Sequence, residues 1–70
     1  MKRTIENLMG FVQDLTIEAA DLINQAENSL TMGNKQAAES YLRASKIFNM
    51  AANNLRGIYL NLKAYNSIAR

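Results

Sequence analysis

A single break, Met32-Gly33-Asn34, divides a sequence that otherwise shows helical periodicity. Gly33 can adopt the left-handed conformation that ends a helix, and the Asn34 side chain can then cap the next helix. Because the chain contains no proline, nothing else forces a break. A connection this short makes neighbouring helices antiparallel, so the sequence predicts an all-α, two-helix hairpin with helices over about 4–32 and 35–69.

Apolar residues repeat along both halves with the alternating spacing of three and four that is typical of a coiled-coil seam. We expect Thr4 to cap the first helix. The first stripe comprises Ile5, Leu8, Val12, Leu15, Ala19, Leu22 and Ala26. The second stripe comprises Ala37, Tyr41, Ala44, Phe48, Ala51, Leu55, Ile58, Leu62, Tyr65 and Ala69. We predict that the two stripes pack together and that the second helix continues through Gly57.

The chain is too short to bury a large core by itself. Its 70 residues form one helical-hairpin domain, 1–70, and two helices cover little apolar surface. Cysteine and histidine are both absent, so neither a disulfide nor a structural zinc is expected to stabilise the fold. We therefore expect another chain to complete a bundle. With no secretory signal and no membrane-spanning run, the sequence predicts a cytoplasmic protein.

Apolar residues beside the two stripes are the candidates for binding that other chain, because an isolated hairpin would leave them in water. The candidates on the first helix are Met9, Phe11, Ile23 and Leu30. The candidates on the second helix are Ala38, Ile47, Ala52 and Tyr59. Ala38, Ser45 and Ala52 form a line of small residues along which a partner helix could pack closely. This set predicts a protein-binding adaptor, either a homodimer or part of a hetero-oligomer.

Residues typical of catalysis and cofactor binding are missing. Nucleophilic triads and most general-base sites use histidine, and the three glycines are scattered rather than gathered in a phosphate-binding loop. Asp14, Glu18 and Asp21 share one face of the predicted first helix, but a di-iron site would also need Glu-x-x-His pairs. We interpret these acids as a solvated face and expect no enzyme, no metal site and no cofactor.

Charge is distributed unevenly between the two halves. Residues 1–34 carry two cations and five acids, whereas residues 35–70 carry six cations and one acid. An acidic helix beside a basic one favours the antiparallel hairpin. As an alternative, Lys46, Arg56 and Lys63 could follow a phosphate backbone, which would make the protein a small basic nucleic-acid-binding regulator.

The stretch 26–44 resembles a single tetratricopeptide unit. In that family a small residue in the first helix, a glycine at the turn and a later alanine let two helices pack tightly. Ala26, Gly33 and Ala38 match those positions, while the following aromatic residue and alanine each lie one position early. The same stretch is similar to the last two helices of MIT domains.

The stretch 51–62 is similar to the last helix of small YscE-type co-chaperones of type III secretion systems. These are hairpins of about this length that pair with a tetratricopeptide-like chaperone to hold the needle subunit soluble. The resemblance implies a further alternative function, that of a co-chaperone for a secretion needle subunit. It assigns no functional residue.

Overall fold

A computed structural model describes residues 2–68, which form two helices, α1 (Lys2–Thr31) and α2 (Lys35–Ile68). The helices pack against each other as a hairpin, which confirms the predicted all-α fold. The predicted cap at Thr4 is wrong because α1 begins at Lys2 and already includes Thr4. Lysine and arginine are good helix formers and extend the helix toward the N-terminus. Ala69, the predicted end of α2, lies outside the described residues.

Within residues 2–68, neither helix combines the length and the apolar content needed to cross a membrane. α2 continues through Gly57, as predicted. The hairpin is a thin rod with principal extents of 56 × 14 × 10 Å. Its radius of gyration is 16.2 Å, whereas a compact domain of this length would have one of about 11 Å.

The turn is built from backbone hydrogen bonds and one side-chain cap. Gly33 has a positive φ of 80°. Its N–H donates to the carbonyl of Leu30 at 3.0 Å, and the N–H of Asn34 donates to the carbonyl of Ser29 at 2.8 Å. These two bonds satisfy carbonyls at the end of α1 in a Schellman motif. Oδ1 of Asn34 then accepts a bond from the N–H of Ala37 at 3.1 Å, which confirms both predicted roles.

The two helices meet along a contact line of residues that repeat every seven positions. On α1 the contact line consists of Ile5, Val12, Ala19 and Ala26. On α2 it consists of Ala38, Ser45 and Ala52. The hydroxyl of Ser45 donates to the carbonyl of Leu42 at 2.7 Å, so its burial leaves no unpaired polar group. Small side chains at this line let the helices approach closely.

The α2 side of the contact line lies one residue away from the predicted stripe. Ala37, Ala44 and Ala51 are only half-buried, and Ile58 and Tyr65 are exposed. The assignment of Ala38 and Ala52 to a partner-binding flank is therefore wrong, because both residues are buried between α1 and α2. Because their side chains are small, they lie where the two helices approach most closely. The bulkier residues of α2 therefore lie to either side of the contact line.

Candidate protein-binding face

The contact line divides the surface of the hairpin into two faces. On a helix, the residue three positions after a contact-line residue lies on one flank, and the residue four positions after lies on the other. Because the two helices are antiparallel, the flanks three positions after the contact line lie together on one face of the hairpin. The flanks four positions after it lie together on the opposite face. A shallow cleft lined by Met9, Thr16 and Arg56 shows this arrangement, because each of the three follows a contact-line residue by four positions.

The opposite face, here called the open face, carries a row of large apolar side chains. Every residue in this row is half-buried and follows a contact-line residue by three positions, except Leu62, which follows Tyr59, the next residue at the same seven-residue spacing. The row consists of Leu8, Leu15, Leu22, Tyr41, Phe48, Leu55 and Leu62. The other helix covers one side of each residue and leaves the other side in water. The open face is therefore a continuous apolar strip, two helices wide, along most of the rod.

An outer line on each helix borders the open face, and the two lines differ in character. The outer line of α2 is apolar, with Ala37, Ala44, Ala51, Ile58 and Tyr65. The outer line of α1 is mostly polar, with Thr4, Phe11, Glu18 and Gln25. Phe11 is 55% exposed, Ile58 48% and Tyr65 60%. These three large side chains lie on the half of the open face that is far from the turn, so this half protrudes. The half near the turn, which carries Ala37 and Ala44, is recessed.

The accessible surface of the chain is larger than its mass predicts. The hairpin exposes 5403 Å², whereas a folded monomer of 7.8 kDa exposes about 4400 Å². The excess of about 1000 Å² is comparable to the area of about 800 Å² that each partner contributes to a protein–protein interface of standard size. One further chain on one face would return the exposed surface to the ordinary range.

The face on the other side of the contact line, here called the basic face, is more polar. Its cations include Arg56 and Lys63, which lie one heptad apart on α2. Nη1 of Arg56 donates to Oδ1 of Asn53 at 3.0 Å, and Nζ of Lys63 lies 5.9 Å from the ring centroid of Tyr59. Lys46 lies ten residues before Arg56, roughly 15 Å away along the axis. The predicted nucleic-acid-binding residues therefore form a sparse row rather than a cluster.

The predicted partner-binding residues do not share one surface. Phe11 borders the open face, whereas Met9, Ile23 and Leu30 lie on the flank of α1 that belongs to the basic face. Ile47 is exposed on the outer side of α2. Tyr59 is half-buried and lines a cleft with Ile5.

Sequence analysis assigns both stripes to the interior of the hairpin, so it does not single out the half-buried row of the open face. The signal for this row lies beside the α2 stripe. With the small residues Ala38, Ser45 and Ala52 included, the apolar face of α2 is wider than a single neighbouring helix can cover.

The acids of α1 remain in solvent. Asp14, Glu18 and Asp21 are all exposed. Within residues 2–68, no three acidic side chains are grouped in a way that could hold a metal ion. Asp14 and Asp21 lie on the outer side of α1, next to the outer line that includes Glu18, and so form an acidic edge beside the open face.

No family model matches the chain, and no curated protein or solved structure matches it at a significant level. The tetratricopeptide, MIT and YscE-type resemblances therefore stay predictions.

Proposed function

We propose that the hairpin is a non-enzymatic protein-binding module that buries its open face against helices of another chain. The observation that carries this proposal is the unbroken row of seven large, half-buried side chains between the two helices. Scattered apolar residues are normal on a protein surface, but a continuous strip of large apolar residues is typical of an interaction site.

Packing physics favours a helical partner. The row follows the three-and-four spacing of α-helices, which presents ridges and holes that another helix can fill. Each half-buried leucine or aromatic side chain still has a solvent-exposed side. Covering that side buries apolar surface, which contributes a stabilising free energy of about 25 cal/mol per Å². The basic face offers no comparable strip, because its apolar residues alternate with Thr16, Asn49, Arg56 and Lys63.

Site-specific photo-crosslinking in cells of the native host tests the proposal. The photoreactive residue p-benzoylphenylalanine would replace Tyr65, which borders the open face. A matched chain would carry it at Leu60, which has similar exposure at 56% but borders the basic face of α2 instead of the open face. We expect a crosslink to a protein, either a second copy or a different chain, from position 65 and not from position 60. Equal labelling at both positions, or none at position 65, would refute the proposed function.

A further inference from the structure

We infer that the occupant of the open face is a second copy of this chain that runs in the opposite direction. The two copies would form a four-helix bundle with the two turns at opposite ends. This inference rests on the proposed protein-binding function and names its partner.

Size and shape favour a second copy. The open face is two helices wide and extends along most of a 56 Å rod. A single helix would cover only half of that width, whereas another hairpin of this chain has a strip of equal width and length. The surplus of about 1000 Å² on each copy is large enough to supply the area of about 800 Å² that each partner contributes to a stable interface.

The outer line of α2 fixes the direction of the second copy. Ala44 and Ile58 lie seven residues on either side of Ala51, and Ala37 and Tyr65 lie fourteen residues on either side. A two-fold axis through Ala51 therefore places Ile58 and Tyr65 of one copy opposite Ala44 and Ala37 of the other. The protruding half of each open face fills the recessed half of its partner, as close packing requires.

A dimer with both turns at the same end fits less well. It would place α2 of one copy against α1 of the other, so that the apolar outer line of α2 would meet Glu18 and Gln25. Burying a carboxylate and an amide against alanines without partners is unfavourable. In the opposite-direction arrangement the apolar outer lines of α2 pair with each other, and the polar outer lines of α1 meet at a wet edge.

Disulfide formation at the proposed axis tests the inference. The chain has no cysteine, so an Ala51→Cys variant carries a single thiol. A disulfide requires Cα atoms about 4.4–6.8 Å apart, and a two-fold axis through Ala51 places the two copies of this residue opposite each other across close-packed helices. We expect mild oxidation to convert this variant into a covalent dimer with unchanged helicity. The purified wild-type chain should sediment with twice the monomer mass.

A second variant reports the direction of packing. Met32→Cys places a label at the turn, where the native side chain is 84% exposed. In the opposite-direction dimer, two spin labels at this position should be separated by nearly the full length of the rod, 56 Å. Labels within a few turns of helix of each other would overturn the inferred direction, as would failure of the Ala51→Cys chain to crosslink.

A wild-type chain that sediments as a monomer would overturn the second copy as the occupant. This outcome differs from failure of the proposed function. If the purified chain is monomeric but position 65 crosslinks to a different protein in cells, the inference fails and the protein-binding function stands. If position 65 captures no protein, both fail.

Discussion

The side chain of Asn34 accepts a hydrogen bond of 3.1 Å from the backbone N–H of Ala37, and this bond closes the first turn of α2. It satisfies one of the N–H groups that a helix N-terminus leaves without an intrahelical partner. The turn is the only covalent link between the two helices, so its geometry sets how α2 meets α1.

Replacing the cap is expected to destabilise the hairpin. Asn34→Ala removes the acceptor and should lower the free energy of unfolding by about 1 kcal/mol, which corresponds to a fall in Tm of roughly 4–8 °C for a chain of this size. Circular dichroism melts at one protein concentration measure the change. Asn34→Asp, which keeps an acceptor oxygen, serves as the control and should melt close to the wild type. If both variants melt alike, the cap contributes nothing.

Two glycine substitutions should change stability in opposite directions. Gly33 has a φ of 80°, and an added Cβ would meet no atom within 4 Å. Gly33→Ala therefore strains only the backbone and should cost roughly 1–2 kcal/mol. Gly57 lies inside α2, where an added Cβ also meets nothing. Gly57→Ala should stabilise the helix by about 0.5–1 kcal/mol. Urea unfolding curves measure both changes, and a shift of the same sign in the two variants would contradict this account.

The sequence predicts the turn, because Gly33 is the residue at the break best suited to positive φ. It also predicts the helix order and the four buried residues of α1, because Ile5, Val12, Ala19 and Ala26 keep one spacing. It misplaced the contact line on α2. There, the large residues Tyr41, Phe48, Leu55 and Leu62 can combine with either of two neighbouring lines of small residues. Hydrophobicity favours the line of Ala37, Ala44 and Ala51, because the other line contains Ser45.

Close packing selected the other line on α2. Ser45 looks polar in the sequence, but it is small and bonds to its own helix. The open face could not be read from either helix alone, because it consists of flanks that only the paired helices bring together.

The corrected contact line makes its own prediction. Ala52 is only 2% exposed, so Ala52→Leu must push the helices apart or force strained rotamers. Overpacking of this kind costs roughly 1–3 kcal/mol. Ala64→Leu adds the same side chain at an exposed position of α2 and should change stability little. Urea unfolding compares the two variants. Equal stability would show that Ala52 does not lie at the point of closest approach.

A charge on the open face should separate the subunits without unfolding the helices. Tyr65 and Leu60 have similar exposure in the single hairpin, at 60% and 56%, but only Tyr65 borders the open face. Burying a large apolar side chain contributes about 1.5–3 kcal/mol, so Tyr65→Lys should weaken the proposed dimer by roughly tenfold or more. Leu60→Lys adds the same charge at the edge of the basic face and should leave the dimer intact.

Sedimentation over a dilution series gives the dissociation constant of each variant, and melting over the same series provides an independent measure. Since a dimer is stabilised by mass action, its Tm should fall on dilution. At a given concentration, Tyr65→Lys should melt below Leu60→Lys. If the two lysine variants dissociate at the same concentration, Tyr65 does not lie in the interface. A wild-type Tm that does not depend on concentration would mean that the hairpin folds alone with its open face in water.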